Sequence, residues 1–170
     1  MIRIVFLYII IPLTGIIALW EIVKKPIGKN IDLRSKNVPR GFKNNNPGNL
    51  KIGNNDWKGR VPTADNTDGL FEQFYSLVDG IRAMMKLIRN YDLYYSINTI
   101  SGIISRYSTT DQDEYIAYVS GKLQINPNFI INVKNDYTLI RLVKAMIQFE
   151  NGYIPIEVTD DIFSSALNNL

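Results

Sequence analysis

The chain has 170 residues, enough for one domain with a substantial core and too few for two of ordinary size. Its 19 Lys and Arg against 16 Asp and Glu leave a formal net charge of +3, which favours anionic polymers without demanding nucleic acid, and no stripe of Arg interleaved with aromatics marks a nucleic-acid interface. Histidine and cysteine are both absent, which excludes zinc hydrolases, cysteine proteases and Ser-His-Asp enzymes; any catalysis rests on carboxylates, hydroxyls, amides, Lys or Arg, and neither metal nor other cofactor is expected.

The first element is apolar. Residues 4–20, "IVFLYIIIPLTGIIALW", carry no charge, and at the helical rise they reach roughly 26 Å, close to the thickness of a hydrocarbon core. Ile22 and Val23 complete the span, so residues 1–23 are expected to be a transmembrane helix that meets the lipid membrane through residues 4–23. Pro12 and Gly15 are tolerated in such a helix, and Trp20 sits at the height of an interfacial aromatic. A cleavable signal peptide is the competing assignment, but "ALWEIVKK" offers no small-x-small cleavage site. A buried core helix is the third assignment, and the unbroken hydrophobicity of the segment on all faces argues against it. Arg3 precedes the span whereas Lys24, Lys25, Lys29, Arg34 and Lys36 follow it, so the positive-inside rule leaves the C-terminal domain on the cytoplasmic side.

Residues 24–40 mix Pro, Gly, Asn and basic residues without period and read as a basic tether to a domain over 41–170. The stretch 44–76 is dense in Asn, Gly and Asp between short apolar runs, which predicts a turn-rich region with brief strands at 50–52, 57–61 and 70–74. Ser76 and Asp79 form a capping-box pattern, and Val78, Ile81, Met85 and Ile88 recur at helical spacing, which predicts a helix over 77–91. Ile100, Ile103, Ile104 and Tyr107 mark a shorter helix. Thr110 with Asp113 opens another, carrying Tyr115, Ile116, Val119 and Leu123. Pro127 is placed to start a small helix over 127–131, Asp136 or Thr138 to cap the helix that follows, and Thr159 to cap a last one, with Asp160 and Asp161 at the positive end of its dipole. The fold class expected is mainly α (α+β), with a small β-hairpin region.

The helix that runs into "LVKAMIQFENG" carries the sharpest chemical signal. Leu139, Leu142, Val143, Met146 and Ile147 form one apolar stripe, and Glu150, four residues after Met146 and three after Ile147, continues it. Burial disfavours the ionised carboxyl, and the carbonyl-rich helix end repels its charge, so Glu150 is expected to hold its proton. A protonated glutamic acid is what a glycosidase uses on a leaving glycosidic oxygen. The plain alternative is a surface residue at the stripe's edge. Glu72, alternating with Phe71 and Phe74, is either a second carboxylate facing a cleft or an exposed strand residue. Asn46, Gly48 and Asn49 either line a sugar cleft, since amides match acetamido groups, or form a tight turn. Tyr107, Tyr115 and Tyr153 either stack on sugar faces or fill core and rim. Asp65 and Asp68 belong to a turn, and Glu21 and Glu114 are positioned for neither role.

The order of elements through "NNNPGNLKIGNNDWKGRVPTADNTDGLFEQFYSLVDGIRAMMKLIRNY", then "ISRYSTTDQDEYIAYV", resembles the middle of bacterial cell-wall glucosaminidases and lysozyme-fold lytic transglycosylases over roughly half the chain. In those families a catalytic glutamate ends a helix before the Asn-rich region; here only Asp32 is acidic between residue 24 and Asn44, and the missing piece resembles "KAMIQFENG" near the other end. The resemblance therefore implies a circularly permuted lysozyme-like domain, an arrangement similar to lysozyme-like virion proteins of bacteriophages. With the amino-terminal anchor, it resembles a lytic enzyme of a membrane-containing phage.

What the resemblance implies is cleavage of β-1,4 bonds in peptidoglycan glycan strands, as a muramidase or a lytic transglycosylase, during host penetration or lysis. Glu150 would be catalytic, and the resemblance also singles out Tyr107. The expected location is the virion internal membrane or the host inner membrane, with capsid proteins as further partners and no nucleic acid. The alternative of a different class is a non-catalytic lysozyme-like virion protein that ties capsid to membrane or binds wall glycan. The topology is testable: in intact spheroplasts the domain should be protected from added protease, and digestion from outside would overturn the cytoplasmic assignment.

Overall fold

The computed structural model describes residues 32–34 and 36–170; the anchor expected at 1–23 and the first part of the tether lie outside them. The described part is mainly helical. Its helices are α1 (Arg40–Lys43), α2 (Leu77–Tyr95), α3 (Ile100–Tyr107), α4 (Gln112–Leu123), α5 (Asp136–Asn151) and α6 (Asp160–Asn168), with one 3-10 turn at Thr63–Asp65. No helix among the described residues is long and apolar enough to cross a membrane.

Local chemistry accounts for the helix ends. The Ser76 hydroxyl accepts the Asp79 N–H at 3.1 Å and opens α2, as the capping pattern requires. The helix outruns its expected end at residue 91 and stops where Ser96 takes a left-handed φ of 54°, letting the Ile97 N–H reach the Tyr91 carbonyl at 3.0 Å. A serine in the place usual for glycine hides that stop from the sequence. Thr99 caps α3 by accepting the Gly102 N–H at 3.0 Å. The cap of α5 is Asn135, one residue before the expected Asp136, and its side-chain oxygen accepts the Thr138 N–H at 2.9 Å. Ahead of α4, Thr110 does not cap; Asp111, at φ 52°, precedes the helix without a side-chain capping bond.

Two expectations are corrected. The β-hairpin region contains no extended strand: it reduces to isolated antiparallel bridges, Lys51 with Phe71 and Arg60 with Phe74. Flanking backbone bonds, Glu72 to Leu50 at 2.8 Å and Val61 to Gln73 at 2.8 Å, hold the pairs, but the intervening Asn, Gly and Asp keep only one or two residues extended at a time. Residues 127–131 are not helical either. Ile130 instead bridges Thr99, the Ile131 N–H reaches the Asn98 carbonyl at 2.8 Å, and the Pro127 carbonyl accepts the Ser101 N–H at 3.0 Å, so this segment's backbone groups are satisfied by the turn ahead of α3.

The core lies where α2 meets α6 and α5, and where α5 meets α4. Leu77, Ile81, Met84, Met85 and Ile88 of α2 face Ile162, Phe163 and Ala166 of α6 together with the stripe of α5, all buried in one cluster. Leu33 is fully buried in this same cluster and Val38 packs on it, so the described end of the expected tether belongs to the domain. A satellite cluster of Leu50, Trp57, Phe74 and Ala83 seats the turn-rich region on α2.

That seating depends on Gly80. A Cβ there would lie 1.8 Å from the Asn45 carbonyl oxygen, backbone that cannot yield, whereas a Cβ at Gly121, in the last turn of α4, would meet nothing within 4 Å. Gly80→Ala is therefore expected to destabilise the fold by about 3 kcal/mol, at the upper end for overpacking. Gly121→Ala should instead stabilise it, by up to about 1 kcal/mol of helix propensity. Urea unfolding midpoints of the two variants check the opposite signs.

Candidate active site

Glu150 sits in the last turn of α5, which Gly152 ends with a φ of 78°. The buried stripe of that helix fixes its azimuth, and the half-buried carboxyl points toward the loop that carries Asn49. The Asn49 side-chain amide donates to Glu150 Oε2 at 3.0 Å. Asn49 can reach because its backbone is left-handed, with φ 50°, a conformation asparagine adopts more readily than other non-glycine residues. The next residue of α5, Asn151, reinforces the junction: its amide donates to the Pro47 carbonyl at 2.6 Å and to the Ile147 carbonyl at 2.9 Å.

On the inner side lies Tyr115, fully buried and stacked on Phe149 with ring centroids 3.9 Å apart. Its hydroxyl donates to the Met146 carbonyl at 3.3 Å, and it lies close enough to Glu150 to favour the ionised carboxyl. Burial pushes the Glu150 carboxyl above the usual carboxylate range; the Asn49 amide and the Tyr115 hydroxyl pull the other way, and burial wins. Tyr107 donates its hydroxyl to the Gly48 carbonyl, and burial, then the Glu150 charge, hold that phenol well above its ordinary range, so it remains a donor.

The carboxyl opens on a cleft of about 440 Å³. Asn49, Lys51, Trp57, Phe71, Tyr91 and Tyr107 are among the residues of its wall, and Glu150 is the one acid in that lining. The sequence-derived site residues thus separate. Glu150, Asn49 and Tyr107 meet at the cleft, and Gly48 supports it through its carbonyl. A Cβ on Gly48 would lie 2.6 Å from the Tyr107 hydroxyl and 2.7 Å from Met84 Sδ, which explains the small residue.

Asn46 lies beneath the cleft. It is fully buried, and its side chain is engaged by the Leu50 carbonyl at 2.9 Å, the Glu72 carbonyl at 2.9 Å and the Leu50 N–H at 3.0 Å, so it shapes the loop. Tyr153 is 45% exposed and does not line the cleft. Glu72 is neither an exposed strand residue nor a cleft acid: it is buried, pairs with Arg60 at 3.6 Å and accepts the Gly53 N–H at 3.3 Å. Asp68 likewise braces structure. It accepts from Arg40 and Asn44, each at 2.6 Å, and the Arg40 guanidinium beside it holds its carboxyl far below the usual range.

Sequence reasoning missed Lys51, Tyr91 and the aromatic wall of Trp57 and Phe71, which only the packing of the turn-rich region on α2 brings together. It also missed Asn151, whose side-chain oxygen is buried without a partner. Among the described residues no group of three or more acidic side chains is arranged to hold a metal ion.

No family model matches the chain. Protein P5 of Pseudoalteromonas phage PM2 is 37% identical to it over 122 residues, which cover 68% of this chain and 73% of P5. At that identity and coverage, the chain belongs to the family of this phage protein.

Proposed function

We propose that this chain is a lysozyme-like phage virion protein that cleaves the β-1,4 bonds of peptidoglycan, with Glu150 as its general acid and then its base. The observation that carries this reading is a half-buried carboxyl, pushed above the usual carboxylate range by burial, at the mouth of a cleft in which it is the one lining acid. Kinship with a phage protein supports the setting, and the uncharged run at residues 4–20 supports attachment to a membrane, of the particle or of the host, from which the domain would act during penetration or lysis.

In this mechanism the Glu150 proton passes to the glycosidic oxygen as the bond to the anomeric carbon breaks. The Asn49 amide, already donating to Oε2, stabilises the carboxylate that forms. That carboxylate then takes the proton of the hydroxyl that attacks the anomeric carbon. A hydrolase with two acids places its second carboxylate several ångströms across the sugar. The described lining supplies none, and Glu72 is engaged by Arg60 and Gly53, which favours the transglycosylase course, in which the substrate's own hydroxyl attacks and leaves an anhydro end.

Glu150→Gln preserves shape and removes the transferable proton, so wall-clearing activity should fall about 10²–10⁴-fold. Mass analysis of the products should show anhydro muropeptides. Activity that survives the change removes Glu150 from the mechanism, and a wild type that binds glycan without cutting it is a scaffold.

The pH dependence has a definite sign. A folded-state pKa raised above the unfolded value means that stability is fully present at low pH and declines as pH rises through the raised value. Glu150→Gln should therefore match the wild type in acid and exceed it in melting temperature above neutrality. Asn49→Gly keeps the left-handed backbone but deletes the donor that favours ionisation, so the pH–rate profile of the variant should move toward alkaline pH.

A further inference from the structure

The Glu150 cleft does not end at Tyr91. A second hollow of about 550 Å³ shares Asn55, Leu87 and Tyr91 with it and continues past Tyr94 and Tyr95 to Arg106. Arg106 and Tyr107 are consecutive in α3, so one helix end serves both halves of the groove.

Arg106 is an exposed cation held between aromatic rings. Its guanidinium lies 3.9 Å from the centre of the Tyr95 ring and 5.3 Å from that of Tyr91, two residues four apart on α2. Among the described residues no carboxylate pairs with it, while eight ion pairs engage other charged groups of the domain. Stacking fixes the plane of the fork and leaves its N–H groups free, the state suited to bidentate capture of a carboxylate. Tyr94 and Tyr95, 70% and 56% exposed, add flat apolar faces of the kind that pack against sugar rings. Lys51 lies on the Glu150 side, so the two hollows are lined by two cations, Lys51 and Arg106, and by one acid, Glu150.

We propose that the hollow at Arg106 is a subsite for a carboxylate-bearing sugar of the glycan strand, in which Arg106 reads the acid and Tyr94 and Tyr95 carry the ring. This rests on the glycan-cleaving reading of the Glu150 cleft and extends it from bond type to substrate charge: the protein selects strands with free acid groups over neutral strands of the same linkage. A merely structural Arg106, clamping α3 to α2 by stacking, has no reason to discriminate charge.

The test measures binding to the full chain in detergent, carrying Glu150→Gln so that no turnover intervenes. The two probes are peptide-free peptidoglycan glycan strands with free lactyl carboxylates and neutral chito-oligosaccharides of equal length. The carboxylated strand should bind at least about tenfold more tightly, as expected for one charge-assisted pair, and the preference should shrink with added salt. Arg106→Gln should bring the ratio to about one, and Arg106→Lys, which keeps the charge and loses the fork, should retain part of it. A ratio unchanged by Arg106→Gln, or no preference at the start, overturns the subsite while leaving glycan binding in place. Binding to neither strand overturns the glycan-cleaving reading, and the subsite with it.

Discussion

Two asparagine amides, facing in opposite directions, close the centre of this molecule. Asn49 reaches from the loop to Glu150, 101 residues away in sequence, and Asn151 reaches back to the Pro47 carbonyl across 104. Each bond taken alone contributes on the order of 1 kcal/mol. Their importance is positional, because they join the end of a core helix to a loop that has no regular structure of its own. Without the junction the carboxyl would have neither its hydrogen-bond donor nor its burial.

The loop can approach only because side chains are missing where backbone must pass. Gly80 on α2 admits the Asn45 carbonyl, and a Cβ on Gly41 would stand 2.6 Å from the Asn151 side-chain oxygen. Closeness has a cost on the polar side as well. That Asn151 oxygen and the Asn45 side-chain oxygen are both buried without partners, at about 1–3 kcal/mol for each such group. The large cluster beneath, from Leu33 and Phe42 to Ala166, offsets them.

Helical periodicity made α2, α3 and α5 legible, since most of the apolar positions at helical spacing are buried. It also placed Glu150 on the buried stripe, and the carboxyl is half-buried there. What the sequence concealed is of another kind. Ser96, Asp111 and Gln124 adopt left-handed backbone without being glycine, so helix limits at those points carry no usual signal. The pairs Lys51–Phe71 and Arg60–Phe74 look like strands in composition but are too short to propagate. Glu72 alternates with aromatics as a surface residue would, yet Arg60, twelve positions earlier, draws it inward; nothing local encodes that pairing. The cleft walls likewise depend on which side of α2 the turn-rich region occupies, a tertiary outcome.

The separation between Asn49 and Glu150 also sets an order in time. The ribosome makes the groove walls, from Asn49 through Thr110, before it makes residue 150, and contacts so distant along the chain are slow to close. A nascent chain therefore lacks both the acid and the helix end that holds the loop until α5 has emerged, so the site is complete only when translation of the domain is nearly finished.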